Sequence, residues 1–366
     1  MSQLFSQLKI GDLILKNRVV LAPLTRGRAG LSRVPNDIIK TYYEQRATAG
    51  LLITEATAVS AQGYGWYGAP GNYTEEQSLA WKNVVDGVHE KGGKIFLQLW
   101  HMGRQSDPTF HETNEVVAPS AIKVPGDGHV RNVHHEQVPY STPRALLTEE
   151  IPAIVQDFKK SAALAKNAGF DGVEIHGANG YLIDTFLQSS TNLRTDIYGG
   201  SVENRYRLLG EVLEAVKEVY PVNRIGIRLS PNGVFGGMGS EDNDKTYEYV
   251  AKQLSAHDLA YLHVMDGLNF GFHNQCRPLT LFDFKSWFGG RLIGNITYTK
   301  DTAEGALRTG AVDLIAFGRP FISNPDLVER FEKNLPLNPD APYSAWYDTH
   351  GGAKGYTDFP FYSESN

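Results

Sequence analysis

The sequence has little cysteine, no long apolar run and no cluster of positive charge. Cys276 is the single cysteine among 366 residues, which excludes an internal disulfide, a zinc ribbon and a cysteine-ligated iron–sulfur cluster. No stretch approaches the roughly 18 apolar residues of a membrane-spanning helix, and residues 1–12 show no signal-peptide pattern. The net charge of -6 argues against nucleic-acid or membrane-surface partners. We therefore expect a cytoplasmic protein that acts on small molecules.

Short apolar segments alternate with amphipathic ones along most of the chain. At 41% hydrophobic and 21% charged residues, the composition supports a large core. Eight strand-then-helix units in one chain predict a parallel sheet closed as a (β/α)8 TIM barrel, an α/β fold. The predicted strands are 19–22, 51–56, 94–100, 172–175, 224–229, 259–264, 291–294 and 312–317. The predicted helices are 35–48, 74–91, 148–167, 201–219, 245–255, 281–288, 300–308 and 325–334.

Three segments lie outside these units. Residues 4–15 alternate around Gly11-Asp12 and predict a hairpin that forms a lid over one end of the barrel. Residues 101–147, after strand three, are too long for a structureless connection, so we predict an inserted excursion with its own hairpin, packed over the barrel mouth. Residues 335–366 read as a wrapped C-terminal tail. No linker divides the chain, and we predict one domain over 1–366.

The stretch VEIHGANGYLIDTFLQ, residues 173–188, is the strongest candidate for chemistry. A buried strand leads into His176, Asn179 and Tyr181. The spacing of His176 and Asn179 would put both on one face of a helical turn after the strand. Taken alone, the stretch also fits an ordinary strand-to-helix loop with a hydrogen-bonded histidine. In a TIM barrel, however, it follows strand four at the carboxyl end, where active sites lie.

Polar residues also follow other strands of the predicted barrel, among them Thr25, Gln98 and Arg228. The loops after strands seven and eight, with Gly294-Asn295 and Gly318-Arg319, have the form of a phosphate site, although a solvated loop arginine is the alternative. There is no Walker motif, and Gly63-Tyr64-Gly65 is not followed by the helix start that a Rossmann fingerprint needs. The one-phosphate cofactor that suits a barrel mouth is FMN. No metal site is predicted.

Several motifs occur together in register: APLTR at 22–26, QLWHMGR at 98–104, HGANGYL at 176–182, RTDIYGGS at 194–201 and FGRP at 317–320. With them, nearly the whole chain resembles the Old Yellow Enzyme family of FMN-dependent ene-reductases. Residue 25 is Thr rather than Cys, and in this the sequence resembles the classical subgroup of the family. That resemblance implies a monomer or weak homodimer. This sequence differs from the classical subgroup at Trp66-Tyr67, where members of the subgroup often carry one tyrosine.

The resemblance implies a tightly bound, non-covalent FMN that NADPH or NADH reduces. Thr25 would hydrogen-bond the flavin C4 carbonyl, Gln98 would hold the pyrimidine edge, and Arg228 would lie near N1 and the C2 carbonyl, where charge develops. The ring contacts implied are Pro23, Leu24 and Ala56. The phosphate contacts implied are Arg319 and the backbone of Gly294, Asn295 and Gly318.

The resemblance also implies a reaction. His176 and Asn179 would hold the carbonyl or nitro oxygen of an activated alkene, such as an enone, enal, maleimide or nitroalkene; nitrate esters present a similar oxygen. Hydride would pass from flavin N5 to the β-carbon, and Tyr181 would protonate the α-carbon. The residues implied to line the substrate side are Trp66, Tyr67, Trp100 and Tyr356.

The residues also leave three other functions to weigh, two of them enzymatic and one a non-catalytic binder. A flavin-dependent 2-hydroxy-acid oxidase would need a base and an arginine for a carboxylate. A sugar-phosphate lyase would need a Schiff-base lysine or metal-binding carboxylates, but Asp266 after strand six stands alone. A non-catalytic flavin binder would have no use for a proton donor such as Tyr181.

Overall fold

The computed structural model describes residues 2–268 and 271–363, and its centre is a closed barrel of eight parallel strands. Each strand pairs with the next along the chain, and the last closes on the first through the registers Ile315 with Val19 and Phe317 with Leu21. The prediction of a TIM barrel is confirmed. The strands are β1 Val19–Leu21, β2 Leu51–Ile53, β3 Ile95–Trp100, β4 Gly172–Gly177, β5 Ile225–Leu229, β6 Tyr261–Met265, β7 Leu292–Asn295 and β8 Leu314–Phe317.

A ring of helices covers the barrel, and side-chain caps set where several of them begin. Thr74 and Gln77 form the predicted capping box. The first helix begins at Asp37 rather than at Pro35, because the Asn36 side chain accepts from the Ile39 N–H. The helices are α1 Asp37–Gln45, α2 Glu75–Glu90, α3 Ile151–Asn167, α4 Val202–Lys217, α5 Asn243–Ser255, α6 Leu281–Trp287, α7 Lys300–Arg308 and α8 Leu327–Lys333.

Short helices that the sequence pattern did not predict lie at Leu182–Leu187, Arg319–Ser323 and Tyr343–Trp346. Each has only four to six residues, too few for a 3.6-residue period to emerge. Within the described ranges, no helix is long and apolar enough to cross a bilayer.

The N-terminal hairpin closes the amino end of the barrel. Leu8–Ile10 pairs antiparallel with Leu13–Leu15. Its inward residues belong to one buried cluster with Val20, Ile53 and Phe96 from the barrel strands. The lid therefore seals the end opposite to the predicted site, and the carboxyl ends of the strands stay accessible.

The excursion after β3 and the C-terminal tail meet at the carboxyl end. His129–Arg131 pairs antiparallel with Gln137–Pro139, which is the predicted hairpin, and Val117–Ala118 pairs with Arg144–Ala145. Arg26 fixes the tail, because its guanidinium donates to the carbonyls of Trp346, Ala345 and Gly355 at 2.9, 3.1 and 2.8 Å. Both segments therefore form walls around the barrel mouth. The assignment of 1–366 to one domain stays a prediction.

Candidate active site

A cavity of about 390 Å³ opens at the carboxyl end of the barrel, a size typical of small-molecule sites. Loops that follow strands on opposite sides of the barrel contribute to it. The predicted residues that line it are Pro23, Leu24, Thr25, Ala56, Trp66, Gln98, His176, Asn179, Tyr181, Arg228, Asn295, Gly318 and Arg319. Residues far apart in sequence thus meet in one cavity because the barrel brings the carboxyl ends of its strands together.

Two aromatic residues predicted for the substrate side lie just outside this cavity. Trp100 is 1% exposed and lies behind Tyr181, with ring centroids 5.2 Å apart in an edge-to-face arrangement. Tyr67 lines an adjoining vestibule of about 300 Å³ that shares Trp66 and Tyr347 with the cavity. Trp100 therefore supports the cavity wall from behind, and Tyr67 faces the approach to the cavity.

The prediction that Tyr356 lines the substrate side is wrong. Its ring is fully buried and stacks on Tyr42, with 4.4 Å between centroids. The guanidinium carbons of Arg26 and Arg28 lie 5.0 and 4.7 Å from the ring centroid. Cation–π contacts of this kind hold an aromatic ring firmly, so Tyr356 anchors the tail below the site. Tyr347 is the tail tyrosine in the cavity wall.

Gly294 is likewise absent from the cavity wall. A Cβ atom there would lie 3.0 Å from the Tyr298 hydroxyl, so this glycine gives room for Tyr298. The cavity residues that sequence reasoning missed include Phe235, Met265, Ile296, Thr297, Tyr298, Asp340 and Tyr347. Proximity to strand ends could have indicated Met265 and Ile296–Tyr298. Asp340 and Tyr347 come from the tail, and no local pattern indicates their position.

A second concave surface, about 700 Å³ and shallow, lies on the outside of the barrel beside α3 and α4. None of the predicted site residues lines it. The polar side chains that follow the strands converge on the cavity at the barrel mouth, and that cavity is the candidate active site.

His176 is a neutral hydrogen-bond donor. The Ala178 N–H donates to its Nδ1 at 3.3 Å, so the ring proton of the neutral form is on Nε2. Burial, aided by Arg228 and His263, holds the pKa of His176 well below its usual range. A neutral imidazole with Nε2–H can donate to an oxygen in the cavity but does not carry a spare proton at neutral pH.

Asn179 reaches the cavity by a left-handed turn and not by the predicted helical one. Asn179 and Gly180 have φ of 59° and 70°, and helix Leu182–Leu187 begins only after the turn. Asparagine tolerates this conformation better than most residues. The spacing argument was therefore wrong about the backbone, although His176 and Asn179 do line the same cavity.

Tyr181 forms an aromatic wall beside this pair. Its ring meets His176 edge-to-face at 5.0 Å between centroids, and it is 8% exposed. Burial raises the pKa of the Tyr181 phenol above its usual value, so it stays protonated across the physiological range. The structure thus brings two hydrogen-bond donors and a protonated phenol together at one end of the cavity.

Arg228 occupies another part of the cavity wall, with its charge buried. Its Nη2 donates to Asn295 Oδ1 at 2.9 Å. Among residues 2–268 and 271–363, its buried Nε has no hydrogen-bond partner. An unpaired buried donor is costly, so this atom is suited to an acceptor supplied by a ligand.

A buried polar layer crosses the barrel close to Arg228. Gln98 Nε2 donates to Glu174 Oε1 at 2.7 Å, and His263 Nδ1 lies 2.9 Å from Glu174 Oε2. Burial lowers the pKa of His263 although Glu174 opposes it, so the neutral ring donates to the carboxylate. Because the Gln98 amide nitrogen is bound in this way, its oxygen is the group that a ligand N–H in the cavity can use.

A buried carboxylate, Glu55, binds the turn that directly follows Thr25. Glu55 Oε2 accepts from the N–H groups of Arg26 and Gly27 at 3.0 and 2.9 Å. Burial raises the pKa of Glu55, while these two amides lower it. These two hydrogen bonds fix the backbone directly after Thr25, which lines the cavity.

Asp266 directly follows β6, and the protonation of its carboxyl has a measurable effect on stability. Its carboxyl accepts from the Asn295 N–H at 2.9 Å and from the Tyr298 hydroxyl at 2.7 Å. Burial raises the pKa of Asp266 to about 6. The folded protein then binds a proton more tightly than the unfolded chain, so this group's contribution to stability falls as the pH rises from about 4 to 6.

Asp266→Asn is expected to remove this pH dependence, because an amide can accept from Asn295 and donate to Tyr298 without titrating. The variant's free energy of unfolding relative to wild type should rise by at most about 3 kcal/mol between pH 4 and 7, at 1.36 kcal/mol per pKa unit. Urea unfolding of both proteins across this range measures it. Asp340→Asn, an exposed carboxyl on the cavity rim, is the control. Parallel curves for Asp266→Asn and wild type would contradict the assignment.

The barrel and its cavity have the form of a TIM-barrel enzyme, whose active site lies at the carboxyl ends of the strands. A family model described as the NADH:flavin oxidoreductase / NADH oxidase family matches residues 3–338. The 12-oxophytodienoate reductase 1 of Oryza sativa subsp. japonica is 42% identical over 367 residues, covering 99% of this chain and 93% of that protein.

Solved structures agree with this match. Morphinone reductase in complex with tetrahydroNAD is 42% identical, with a TM-score of 0.91 and coverage of 99% of this chain and 98% of that one. The Old Yellow Enzyme homologue from Zymomonas mobilis is 44% identical, with a TM-score of 0.93 and coverage of 98% and 99%. The chain belongs to the Old Yellow Enzyme family. It is an NAD(P)H-dependent flavin oxidoreductase that binds FMN and acts on C=C bonds.

Proposed function

We propose that this enzyme reduces the C=C bond of alkenes activated by an adjacent carbonyl or nitro group, with His176, Asn179 and Tyr181 as its catalytic residues. The observation that carries the proposal is the meeting of two hydrogen-bond donors and a protonated phenol in the cavity that Arg228 also lines. When bound, FMN that NADPH or NADH has reduced supplies the hydride.

The residues present fit FMN. The buried Arg228 Nε gains an acceptor if the flavin N1 or C2 carbonyl lies beside it, and a fixed cation there stabilises the negative charge of a reduced flavin. The Gln98 amide oxygen suits the flavin N3–H, and the Thr25 hydroxyl suits the C4 carbonyl. We assign ring contacts to Pro23, Leu24 and Ala56, and phosphate contacts to Arg319 with the backbone of Gly318. The Asn295 N–H already donates to Asp266, so the phosphate contact expected from the Asn295 backbone is not assigned.

The substrate oxygen is proposed to accept from His176 Nε2–H and from the Asn179 amide. Both are neutral donors, His176 buried and Asn179 half-buried, and hydrogen bonds to a developing negative charge are stronger where water is partly excluded. This polarises the alkene and makes its β-carbon electrophilic. Tyr181 then gives its proton to the α-carbon, which becomes basic as the enolate forms. Trp66 and Tyr347 limit the shape of the substrate.

The test of the function is a set of absorbance measurements on the purified enzyme. We expect a yellow protein that NADPH or NADH bleaches anaerobically and that 2-cyclohexenone re-oxidises. A panel with maleimides, nitroalkenes and nitrate esters, run with both nicotinamides, defines the substrate range. A reduced enzyme that oxygen re-oxidises but that no activated alkene does would contradict the proposal, as would a colourless protein that takes up no FMN.

Arg319→Ala is expected to weaken FMN binding by about tenfold or more, because a charge-assisted bond from guanidinium to phosphate is lost. Riboflavin, which lacks the phosphate, provides the matched control ligand and should bind wild type and variant alike. Flavin fluorescence quenching measures both dissociation constants. Equal weakening for FMN and riboflavin would instead indicate that Arg319 supports the fold, for example through the Trp346 ring 4.7 Å away.

A further inference from the structure

The turn that carries Asn179 into the cavity contacts a buried carboxylate that has no role in the chemistry above. Asp184 is fully buried, belongs to the first turn of helix Leu182–Leu187 and does not line the cavity. Burying a carboxylate is unfavourable unless several hydrogen bonds compensate for the lost water. Its presence beside the substrate turn therefore calls for a physical reason.

Four donors surround Asp184. Its Oδ2 accepts from the Gly180 N–H at 2.8 Å and from the Ser230 hydroxyl at 3.5 Å. Its Oδ1 accepts from the Tyr247 hydroxyl at 2.8 Å and from Gln188 Nε2 at 3.0 Å. An environment made of donors suits an ionised carboxylate, which only accepts. Oδ2 thus binds the turn at Asn179 and Gly180 together with Ser230, and Oδ1 binds side chains of Tyr247 and Gln188.

Asp184 also supports the N–H group of Asn179, the residue before Gly180, through the Ser230 hydroxyl. The Asn179 N–H donates to Ser230 Oγ at 2.8 Å, and Ser230 in turn donates to Asp184. Gln105 Nε2 donates to the Asn179 carbonyl at 2.6 Å. Two successive amides of a left-handed turn are therefore bound: the Asn179 N–H through Ser230, and the Gly180 N–H directly by Asp184. Left-handed backbone is disfavoured for a residue with a side chain, so it needs such support.

We infer that Asp184 is a positioning residue that holds the Asn179–Gly180 turn and thereby aims the Asn179 amide and the Tyr181 hydroxyl at the substrate. This inference rests on the proposed function, because that proposal gives Asn179 and Tyr181 their roles. It predicts that a change at Asp184 alters substrate binding by His176, Asn179 and Tyr181. Flavin binding by the other side of the cavity should stay unchanged.

The experiment compares Asp184→Asn with wild-type holoenzyme. The asparagine keeps the shape but places an NH₂ group against one set of donors, so one side of the network loses its acceptor. Para-substituted phenols are expected to bind the oxidised holoenzyme through His176 and Asn179 and to give a long-wavelength charge-transfer band. In Asp184→Asn we expect the dissociation constant of such a phenol to rise about tenfold or more. Re-oxidation by 2-cyclohexenone should slow by a similar factor. FMN affinity and flavin photoreduction should stay within about twofold of wild type.

Asp313→Asn is the matched control. Asp313 is a buried carboxylate that also accepts a backbone N–H, from Leu292 at 3.0 Å, but on the side of the barrel away from the cavity. It should alter stability without changing phenol binding. If Asp184→Asn does not fold, Ser230→Ala tests the inference in its place. This variant removes the acceptor of the Asn179 N–H and leaves the Asp184 carboxylate unchanged. Severalfold weaker phenol binding by Ser230→Ala supports the inference, and unchanged binding overturns it.

The outcomes separate the inference from the function on which it rests. An active wild type together with an Asp184→Asn variant that binds the phenol and reduces the enone equally well overturns the inference alone. A wild type that neither binds the phenol nor reduces any activated alkene overturns both. Parallel losses of phenol binding in Asp184→Asn and Asp313→Asn would show a general effect of stability and would also overturn the inference.

Discussion

Tyr181→Phe is expected to slow the re-oxidation of the reduced enzyme by 2-cyclohexenone by a factor of about 10² to 10⁴, the range for loss of a positioned general acid. The substitution removes one hydroxyl and keeps the ring that packs against Trp100 and His176. Hydride addition to the alkene then lacks a proton for the α-carbon. Stopped-flow absorbance of the flavin follows this half-reaction directly.

The reduction of the enzyme-bound flavin by NADPH supplies the internal control, because that step needs no proton from Tyr181 and should stay nearly unchanged. Tyr140→Phe is the matched variant. Tyr140 belongs to the same buried hydrophobic cluster as Tyr181 and Trp100 but is absent from the cavity wall. Because burial raises the pKa of Tyr181, the enone half-reaction of wild type should not lose rate between pH 6 and 9 through ionisation of this phenol. Equal losses in both half-reactions would contradict the role of proton donor.

The barrel could be predicted because its determinants are local. Most strands are short, buried runs such as Ile95–Trp100, and the long helices have an apolar face, with a recognisable start where the sequence carries a capping box, as at Thr74. Once eight such units are counted, topology places every strand's carboxyl end at one mouth. That step brings Thr25, Gln98 and Arg228 together without any knowledge of their contacts.

Two wrong predictions, at Tyr356 and at the Asn179 turn, concern positions whose conformation is set by contacts with residues distant in the sequence. Tyr356 and Tyr347 are both tail tyrosines in an irregular segment, and Arg26 and Tyr42 determine which of them is buried below the site. The turn at Asn179 was expected to be helical from residue spacing. Its left-handed form depends on Ser230 and on the side chain of Asp184, and neither contact leaves a periodic pattern in the sequence. Local signals thus fix the elements, while side chains from distant strands fix the site's fine geometry.

The double variant His176→Ala, Asn179→Ala is expected to abolish the charge-transfer band of para-substituted phenols and to reduce enone turnover by more than either single change. Removing one donor from an oxyanion-stabilising pair costs about 10²–10³ in rate. Each single variant should keep weak phenol binding through the remaining donor. Titration of the oxidised holoenzyme with the phenol measures binding, and anaerobic re-oxidation measures turnover.

Backbone strain must be separated from loss of the Asn179 donor, because Asn179 has φ of 59° and alanine there is disfavoured by about 1–2 kcal/mol. Asn179→Gly removes the same amide and adopts this φ freely, so it should weaken phenol binding as much as Asn179→Ala while destabilising the fold less. Wild-type phenol binding should also be flat from pH 6 to 8 with respect to His176, since its lowered pKa keeps the imidazole neutral there. A charge-transfer band that survives in the double variant would show that other groups bind the oxygen, and the roles of His176 and Asn179 would then have to be withdrawn.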